Sequence, residues 1–225
     1  MMEAGFFAGL RKTAGDDWRH YVEHPFVQGL GDGSLPEAAF RHYLVQDYLF
    51  LIQFARAYGL AAYKADSLAE IRAASDGLKA LVEVEMDLHR AYCAGWGLDE
   101  AALEAAEAGG ATLAYTSYVL ERGLAGDLLD LRVALAPCVI GYGEIGARLA
   151  ADPEACTDGN PYASWIEMYA GEEYQAFMRA EIEALDALAA RRGGPARFAP
   201  LAETFRTATR LEAAFWQAGL DAAQA

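Results

Sequence analysis

The sequence predicts an all-α protein, folded as a helical bundle of seven to eight helices. Apolar residues recur three and four positions apart along most of the chain, which is the spacing of one face of a helix. No segment alternates apolar and polar residues over more than a few positions, as a half-buried strand would. The 225 residues also lack a Pro/Ser-rich linker, so we expect a single domain over residues 1–225.

Capping residues and glycines mark the ends of the predicted helices. Ser34 and Glu37 have the spacing of a capping box, and the pair Ser67 and Glu70 repeats it. Glycines in the segment 29–33 predict a turn between the first two helices. The predicted helices cover about residues 6–23, 36–65, 68–95, 99–108, 112–123, 128–151, 160–192, with a break or bend at Gly171, and 200–219.

The second predicted helix carries a carboxylate on its apolar face. Asp47 shares that face with aromatic residues: Phe40, Tyr43, Phe50 and Phe54. An isolated buried carboxylate is costly and is retained mainly for a partner group or a ligand. Asp47 therefore either caps a neighbouring group or binds a ligand.

A cysteine lies at the centre of the most apolar helix. Leu135, Cys138 and Tyr142 are spaced three and four apart, so they share one stripe that points into a core. Pro137 directly precedes the thiol, and a proline inside a helix removes a backbone hydrogen bond and favours a kink. The pattern allows two interpretations, a small buried hydrophobe or a reactive thiol in a helical bundle.

The same helix contains the pattern G-x-G-x-x-G at residues 141–146. This pattern indicates dinucleotide binding when it follows a strand and opens a helix. Here helical spacing precedes it and a polar loop, about residues 152–160, follows it, so we reject nucleotide binding. We expect the glycines to allow a neighbouring helix or a flat ligand to approach the backbone closely.

One possible metal pair lies in the third predicted helix. Glu85 and His89 are four apart and occur once, whereas di-iron carboxylate bundles use Glu-x-x-His twice together with further glutamates. We therefore predict no metal site. The periodicity of this helix places its apolar residues inward, namely Leu68, Ile71, Leu78, Leu81, Val82 and Cys93, and Glu83, Glu85 and Asp87 mostly in solvent.

Composition excludes several classes of protein. The net charge of −15 argues against nucleic-acid binding, which needs clustered lysine and arginine. The three cysteines, Cys93, Cys138 and Cys156, form no C-x-x-C pair, as expected for free thiols in a reducing cytoplasm. The first residues do not resemble a signal peptide, and no apolar run is long enough to span a membrane. We expect a cytoplasmic protein without membrane partners.

Aromatic residues indicate the kind of ligand. The chain contains twelve tyrosines and four tryptophans, and several tyrosines share stripes with polar residues. These tyrosines are Tyr115, Tyr142 and Tyr169, and the polar residues are Cys138, Asp47 and Glu212. Aromatic walls with a few polar groups between them suit a flat, uncharged heteroaromatic ligand.

Several short stretches then carry a resemblance to a known family. They are His24-Pro-Phe-Val-Gln-Gly-Leu-Gly-Asp-Gly-Ser-Leu-Pro36, Tyr43-Leu-Val-Gln-Asp47-Tyr, Tyr115-Thr-Ser, Pro137-Cys138 with Tyr142, Tyr162-x-x-Trp165-Ile-x-x-Tyr169 and Glu212-Ala-Ala-Phe215-Trp216. In type and order they resemble the TenA family, also called thiaminase II, within the haem-oxygenase-like helical bundles. The matches run from near residue 18 to residue 216, which is nearly the whole chain.

The resemblance implies roles for particular residues. Cys138 corresponds to the family's nucleophile, Glu212 to its acid/base glutamate and Asp47 to the residue that binds the aminopyrimidine. Further pocket residues are implied at Tyr115, Tyr142, Tyr169 and Phe215. Phe50 departs from the pattern, because the best-studied members have there a tyrosine thought to help activate the thiol.

The resemblance also implies a reaction. The family's cysteine-bearing branch hydrolyses 4-amino-5-aminomethyl-2-methylpyrimidine, a thiamin breakdown product, to its 5-hydroxymethyl form and ammonia, and hydrolyses thiamin more weakly. It implies a covalent cysteine adduct, no cofactor and a homo-oligomer, most simply a tetramer. Two alternatives stay open: a non-catalytic regulatory or binding protein, since members have been labelled transcriptional activators, and a haem- or metal-dependent oxygenase on the same bundle.

Overall fold

The computed structural model describes residues 5–153 and 159–224, and helices account for the regular structure in these ranges. The helices are α1 Phe6–Ala14, α2 Asp16–Val22, α3 Pro25–Asp32, α4 Glu37–Lys64, α5 Leu68–Ala80, α6 Met86–Gly95, α7 Glu100–Glu104, α8 Gly110–Ala125, α9 Leu128–Ala151, α10 Ala163–Ala170, α11 Glu172–Arg192 and α12 Pro195–Ala222. A π-helical turn, Leu81–Glu85, joins α5 to α6 and is called the π turn below. The all-α bundle confirms the predicted fold class, with more helices than expected.

Two of the additional helices come from the N-terminal segment, and the others arise where the predicted helices 68–95 and 160–192 are each divided in two. Gly15 has φ 47°, a conformation that other residues rarely adopt, and it separates α1 from α2 where one helix was predicted. The predicted turn at residues 29–33 is wrong, because Pro25–Asp32 is a helix that ends at Gly33 with φ 75°. A Cβ on Gly29 would lie 3.1 Å from Cα of Leu35, so this glycine permits close packing rather than a turn.

The helix ends agree with prediction better than the caps do. Helix α4 spans Glu37–Lys64, close to the predicted range, but Pro36 is its N-cap and the expected Ser34 capping box is not formed. The Ser34 amide instead donates to Asp32 Oδ1 at 2.8 Å. Ser67 does cap α5, since its hydroxyl accepts from the Glu70 amide at 3.2 Å.

The π turn changes which face of its helix is buried. Leu81 and Cys93 are buried as predicted, but Leu68, Ile71 and Val82 are 60%, 38% and 43% exposed. A π turn accommodates one extra residue and rotates the helix by about 100° relative to a regular α-helix. Periodicity extrapolated through the π turn therefore assigns the wrong face to these three residues. Glu85, predicted in solvent, is partly buried.

Helix α9 lies at the centre of the bundle. It packs against α8, α10, α11 and α12, and most of its side chains are buried. Its glycines allow this packing, as predicted: a Cβ on Gly141 would lie 2.2 Å from Tyr21 Cε1, and one on Gly146 would lie 2.6 Å from the Tyr169 carbonyl carbon. The G-x-G-x-x-G pattern is thus entirely helical.

Three long helices frame the interior. Helices α4, α9 and α12 pack against one another, and they carry Asp47, Cys138 and Glu212 respectively on their buried faces. Across residues 5–153 and 159–224, no helix combines the length and apolar character needed to cross a membrane.

Candidate active site

The buried thiol of Cys138 is paired with a carboxylate. Cys138 is 8% exposed and Glu212 is 2% exposed, and the two side chains lie close enough for each to perturb the pKa of the other. On the other side, the Tyr115 hydroxyl donates to Glu212 Oε1 at 2.9 Å. Glu212 is therefore held between a phenol and a thiol, so it can accept a proton from the sulfur without moving far.

Burial dominates the protonation of this pair. Desolvation raises the pKa of Cys138 well above its ordinary value, and the nearby charges of Glu212, Glu85 and Asp47 raise it further. Desolvation also raises the pKa of Glu212 well above its ordinary value, although the bond from Tyr115 opposes this. Burial therefore favours the uncharged thiol and the uncharged carboxyl group, and an uncharged carboxyl group is the form that can act as a general acid.

Helix α9 continues through Pro137, and tyrosines bind its carbonyls next to the thiol. The Tyr21 hydroxyl donates to the Pro137 carbonyl at 3.2 Å, and the Tyr174 hydroxyl donates to the Val139 carbonyl at 3.2 Å. Cys138 lies between these two carbonyls in the chain. Side chains from α2 and α11 thus fix the backbone on both sides of the sulfur.

Asp47 belongs to a second buried hydrogen-bond network. Its Oδ2 lies 2.6 Å from His89 Nε2 and accepts from the Tyr43 hydroxyl at 3.0 Å. The indole N–H of Trp165 donates to the Tyr43 oxygen at 3.2 Å, and the Tyr142 hydroxyl lies 3.5 Å away. Asp47 thus has the partner groups that one interpretation of it predicted. All of these bonds are made by Oδ2, and Oδ1 takes no part in them.

Glu85 and His89 are the pocket residues that the sequence interpretation missed. The Tyr169 hydroxyl donates to Glu85 Oε1 at 2.7 Å, and His89 Nδ1 lies 2.8 Å from the Glu85 carbonyl oxygen. Burial, with the charge of Asp47 adding to it, raises the pKa of Glu85 to about 7. Their i, i+4 spacing suggests a metal pair and does not by itself predict these hydrogen bonds.

Both ring nitrogens of His89 are engaged by protein oxygens, those of the Glu85 carbonyl and the Asp47 carboxylate. In the described ranges no group of three or more metal-ligating side chains is arranged to hold an ion. The i, i+4 pair is therefore a hydrogen-bond unit of the pocket.

Aromatic rings connect the two networks. Phe50 is 3% exposed and packs against the rings of Tyr115 and Phe215, with centroids 4.9 and 5.8 Å away. Tyr142 packs against Tyr169 at 5.0 Å. The structure thus brings all the residues singled out by the sequence into one continuous buried region: Asp47, Phe50, Tyr115, Cys138, Tyr142, Tyr169, Glu212 and Phe215.

The structure is thus an all-α bundle whose interior holds a thiol and several carboxyl groups enclosed by aromatic rings. The chain matches the TENA/THI-4/PQQC family over residues 12–222. It belongs to this family, which confirms the TenA resemblance.

Named relatives extend this comparison. The chain is 42% identical to the aminopyrimidine aminohydrolase of Halalkalibacterium halodurans, over 94% of this chain and 93% of that protein. It is 33% identical to the aminopyrimidine aminohydrolase of Bacillus subtilis, over 94% and 88%. A crystal structure of a TenA family transcription regulator from a Silicibacter species is 47% identical, has a TM-score of 0.91 and covers 98% of this chain and 99% of that chain.

Proposed function

We propose that the protein is a hydrolase of aminopyrimidines that acts in thiamin salvage. It converts 4-amino-5-aminomethyl-2-methylpyrimidine and water to the 5-hydroxymethyl pyrimidine and ammonia. The observation that carries this proposal is the buried Cys138–Glu212–Tyr115 chain beside the Asp47–His89 pair. The aminopyrimidine aminohydrolases among the relatives support the same reaction class.

The proposed reaction passes through a covalent adduct. The Glu212 carboxyl group protonates a ring nitrogen as the Cys138 sulfur adds to a ring carbon, and the thiol proton passes to the Glu212 carboxylate that this leaves. Loss of aromaticity allows the ring to expel the amine as ammonia. Water adds to the methylene carbon, the sulfur–carbon bond breaks, and the thiol regains a proton as aromaticity returns.

Asp47 and the aromatic rings bind the substrate in this proposal. Asp47 Oδ2 is held by His89 and Tyr43, so Oδ1 is the atom that accepts from the amino group of the pyrimidine. The surrounding rings offer faces for stacking on the heterocycle. The site accordingly selects flat rings with a hydrogen-bond donor at one edge.

Phe50 shifts the task of activating the thiol onto Glu212. A phenylalanine has no hydroxyl to donate, whereas the Glu212 carboxyl group lies beside the thiol and perturbs its pKa. We therefore propose that Glu212 both protonates the substrate and removes the thiol proton.

A regulatory role is the second candidate, because the 47% identical Silicibacter protein is called a transcription regulator. The net charge of −15 disfavours direct contact with DNA. A buried thiol–carboxyl pair is also more than a binding protein requires. We favour catalysis and further propose a cytoplasmic homotetramer, since a reducing compartment preserves the free thiol.

The test is ammonia release from a panel of aminopyrimidines. The aminomethyl-pyrimidine, its formylamino analogue and thiamin are each incubated with the purified protein, and ammonia or the free thiazole is measured. We expect the aminomethyl-pyrimidine to be turned over fastest and thiamin more slowly. If none of them is hydrolysed while a pyrimidine still binds, the regulatory candidate replaces this proposal.

A further inference from the structure

Each ring nitrogen of His89 lies within hydrogen-bond distance of a protein oxygen. Its Nδ1 lies 2.8 Å from the Glu85 carbonyl oxygen, and a carbonyl can only accept, so Nδ1 carries a hydrogen. Its Nε2 lies 2.6 Å from Asp47 Oδ2, which requires one proton between these two atoms. Since His89 is 0% exposed, water does not compete for either nitrogen.

The second partner of Asp47 favours the charged form of this pair. The Tyr43 oxygen accepts the indole N–H of Trp165, and its own hydroxyl hydrogen is directed to Asp47 Oδ2 at 3.0 Å. A bond accepted from Tyr43 stabilises Oδ2 as a carboxylate oxygen, which places the proton shared with His89 on Nε2. His89 is then an imidazolium that donates from both ring nitrogens.

We infer that His89 is a positioning residue, an imidazolium that holds Asp47 by Oδ2, leaves Oδ1 for the aminopyrimidine and offsets the negative charge around Cys138. The inference rests on the proposed function and deepens it. Asp47 is thereby oriented for binding, and the thiol can ionise at less cost than beside uncompensated carboxylates.

The charges in the pocket explain why a cation matters there. The carboxylates of Glu212, Glu85 and Asp47 all raise the pKa of Cys138, in addition to the larger effect of burial. A positive charge on His89 opposes them. The titratable groups that interact electrostatically with the Asp47–His89 pair are Tyr43 on α4, Glu85 on the π turn, Tyr115 on α8, Cys138 and Tyr142 on α9, Tyr169 on α10 and Glu212 on α12.

Two substitutions separate the hydrogen bond from the charge. In His89→Gln the amide nitrogen takes the position of Nε2 and still donates to Asp47, but it carries no charge. In His89→Asn the amide nitrogen takes the position of Nδ1 and keeps the bond to the Glu85 carbonyl, but it does not reach Asp47. His42→Gln is the matched control, because His42 lines a surface groove of about 340 Å³ away from these residues.

Steady-state kinetics and thiol alkylation give independent readouts. We expect His89→Asn to raise KM for the aminomethyl-pyrimidine by about tenfold and His89→Gln to raise it much less, since the glutamine still orients Asp47. Both variants should slow iodoacetamide alkylation of the Cys138 peptide by about tenfold at a given pH, because both lack the cation. His42→Gln should leave both readouts at the wild-type values.

Equal KM values for the two variants, or wild-type alkylation rates in both, would overturn the inference. The wild-type protein supplies a further measurement should a variant fold poorly. Nitrogen-15 NMR of the histidines should show His89 protonated on both ring nitrogens at neutral pH, and a neutral ring would contradict the inference. Alkylation and NMR need no turnover, so a failure of the proposed reaction would be distinguished from a failure of the role of His89.

Discussion

At the scale of single residues, burial governs the chemistry of the site more than any neighbouring charge does. Desolvation is the largest cause of the raised pKa of Cys138 and also of Glu212. A free thiolate is therefore disfavoured in the resting site, and a proton must leave the sulfur as the substrate is attacked. In the proposed mechanism, Glu212 takes this proton after it has protonated the substrate.

Glu212→Gln and Asp47→Asn should separate acid/base chemistry from substrate binding. The first variant loses the proton carrier, so we expect kcat to fall by about 10² or more. The second weakens recognition of the amino group, so we expect KM to rise by about tenfold with a smaller change in kcat. Steady-state kinetics on the aminomethyl-pyrimidine measure both constants. Identical patterns in the two variants would show that the roles are divided wrongly.

Phe50→Tyr should activate the thiol if the new hydroxyl reaches the sulfur. A hydrogen bond to the thiolate is worth about 1.5–3 kcal/mol at most, so turnover should become faster. The acidic limb of the pH–rate profile should move to lower pH. Phe54→Tyr is the control, because Phe54 is also buried and packs against Phe50 with ring centroids 5.2 Å apart. An unchanged limb and rate in Phe50→Tyr would mean that this side chain does not face Cys138.

At the scale of elements, the π turn is the feature that sequence periodicity could not reveal. The residues from 68 to 95 contain neither proline nor an internal cap that would mark a change of phase, and the pattern fits one long α-helix. By contrast, the ends of α4 and α9 were predicted closely, because charged or capping residues and long apolar stripes define them. Local signals therefore located the helices, whereas tertiary packing determined which face of this one is buried.

Glu85 on the π turn should make stability depend on pH. Its pKa rises from 4.5 to about 7 on folding, so the unfolded chain releases the proton first as pH rises. Its contribution to the free energy of unfolding is therefore fully present below about pH 4.5 and is lost progressively up to about pH 7. The loss is about 1–3 kcal/mol after allowance for the partial exposure of Glu85.

Glu85→Gln should remove this loss, since the amide still accepts from Tyr169 and has no proton to release. Urea unfolding at pH 4.5 and pH 8 measures the difference, and exposed Glu83 in the same turn supplies the control variant Glu83→Gln. The same fall in unfolding free energy between the two pH values in Glu85→Gln and in the wild type would contradict the assignment.

At the scale of the whole molecule, the exposed apolar residues bear on assembly. Tyr63, Leu124, Leu68 and Leu113 are 86%, 69%, 60% and 54% exposed in the isolated chain. Such residues are candidates for a surface that a second copy covers. We expect light scattering at micromolar concentration to give the mass of a tetramer. A stable monomer at that concentration would contradict the proposed assembly.

The fold class followed from helical spacing, but the composition of the site did not. Spacing placed Asp47 and Cys138 on inward faces, and the family resemblance supplied Glu212 as their partner. The contact between His89 and Asp47 could not be predicted from spacing, because a bond between residues 42 positions apart depends on how α4 and α6 pack. Cys156 lies outside the described residues, so its assignment as a free thiol stays a prediction.

The central claim is that Cys138 forms a covalent adduct with an aminopyrimidine. The most direct test is ammonia release from the aminomethyl-pyrimidine by Cys138→Ser, with Cys93→Ser as the control because Cys93 is also buried and free. An alcohol is far less ionised and less nucleophilic towards a ring carbon than a thiol. We predict that Cys138→Ser loses nearly all activity with its helical spectrum unchanged, while Cys93→Ser keeps it. Turnover by Cys138→Ser equal to that of the wild type would contradict the covalent mechanism.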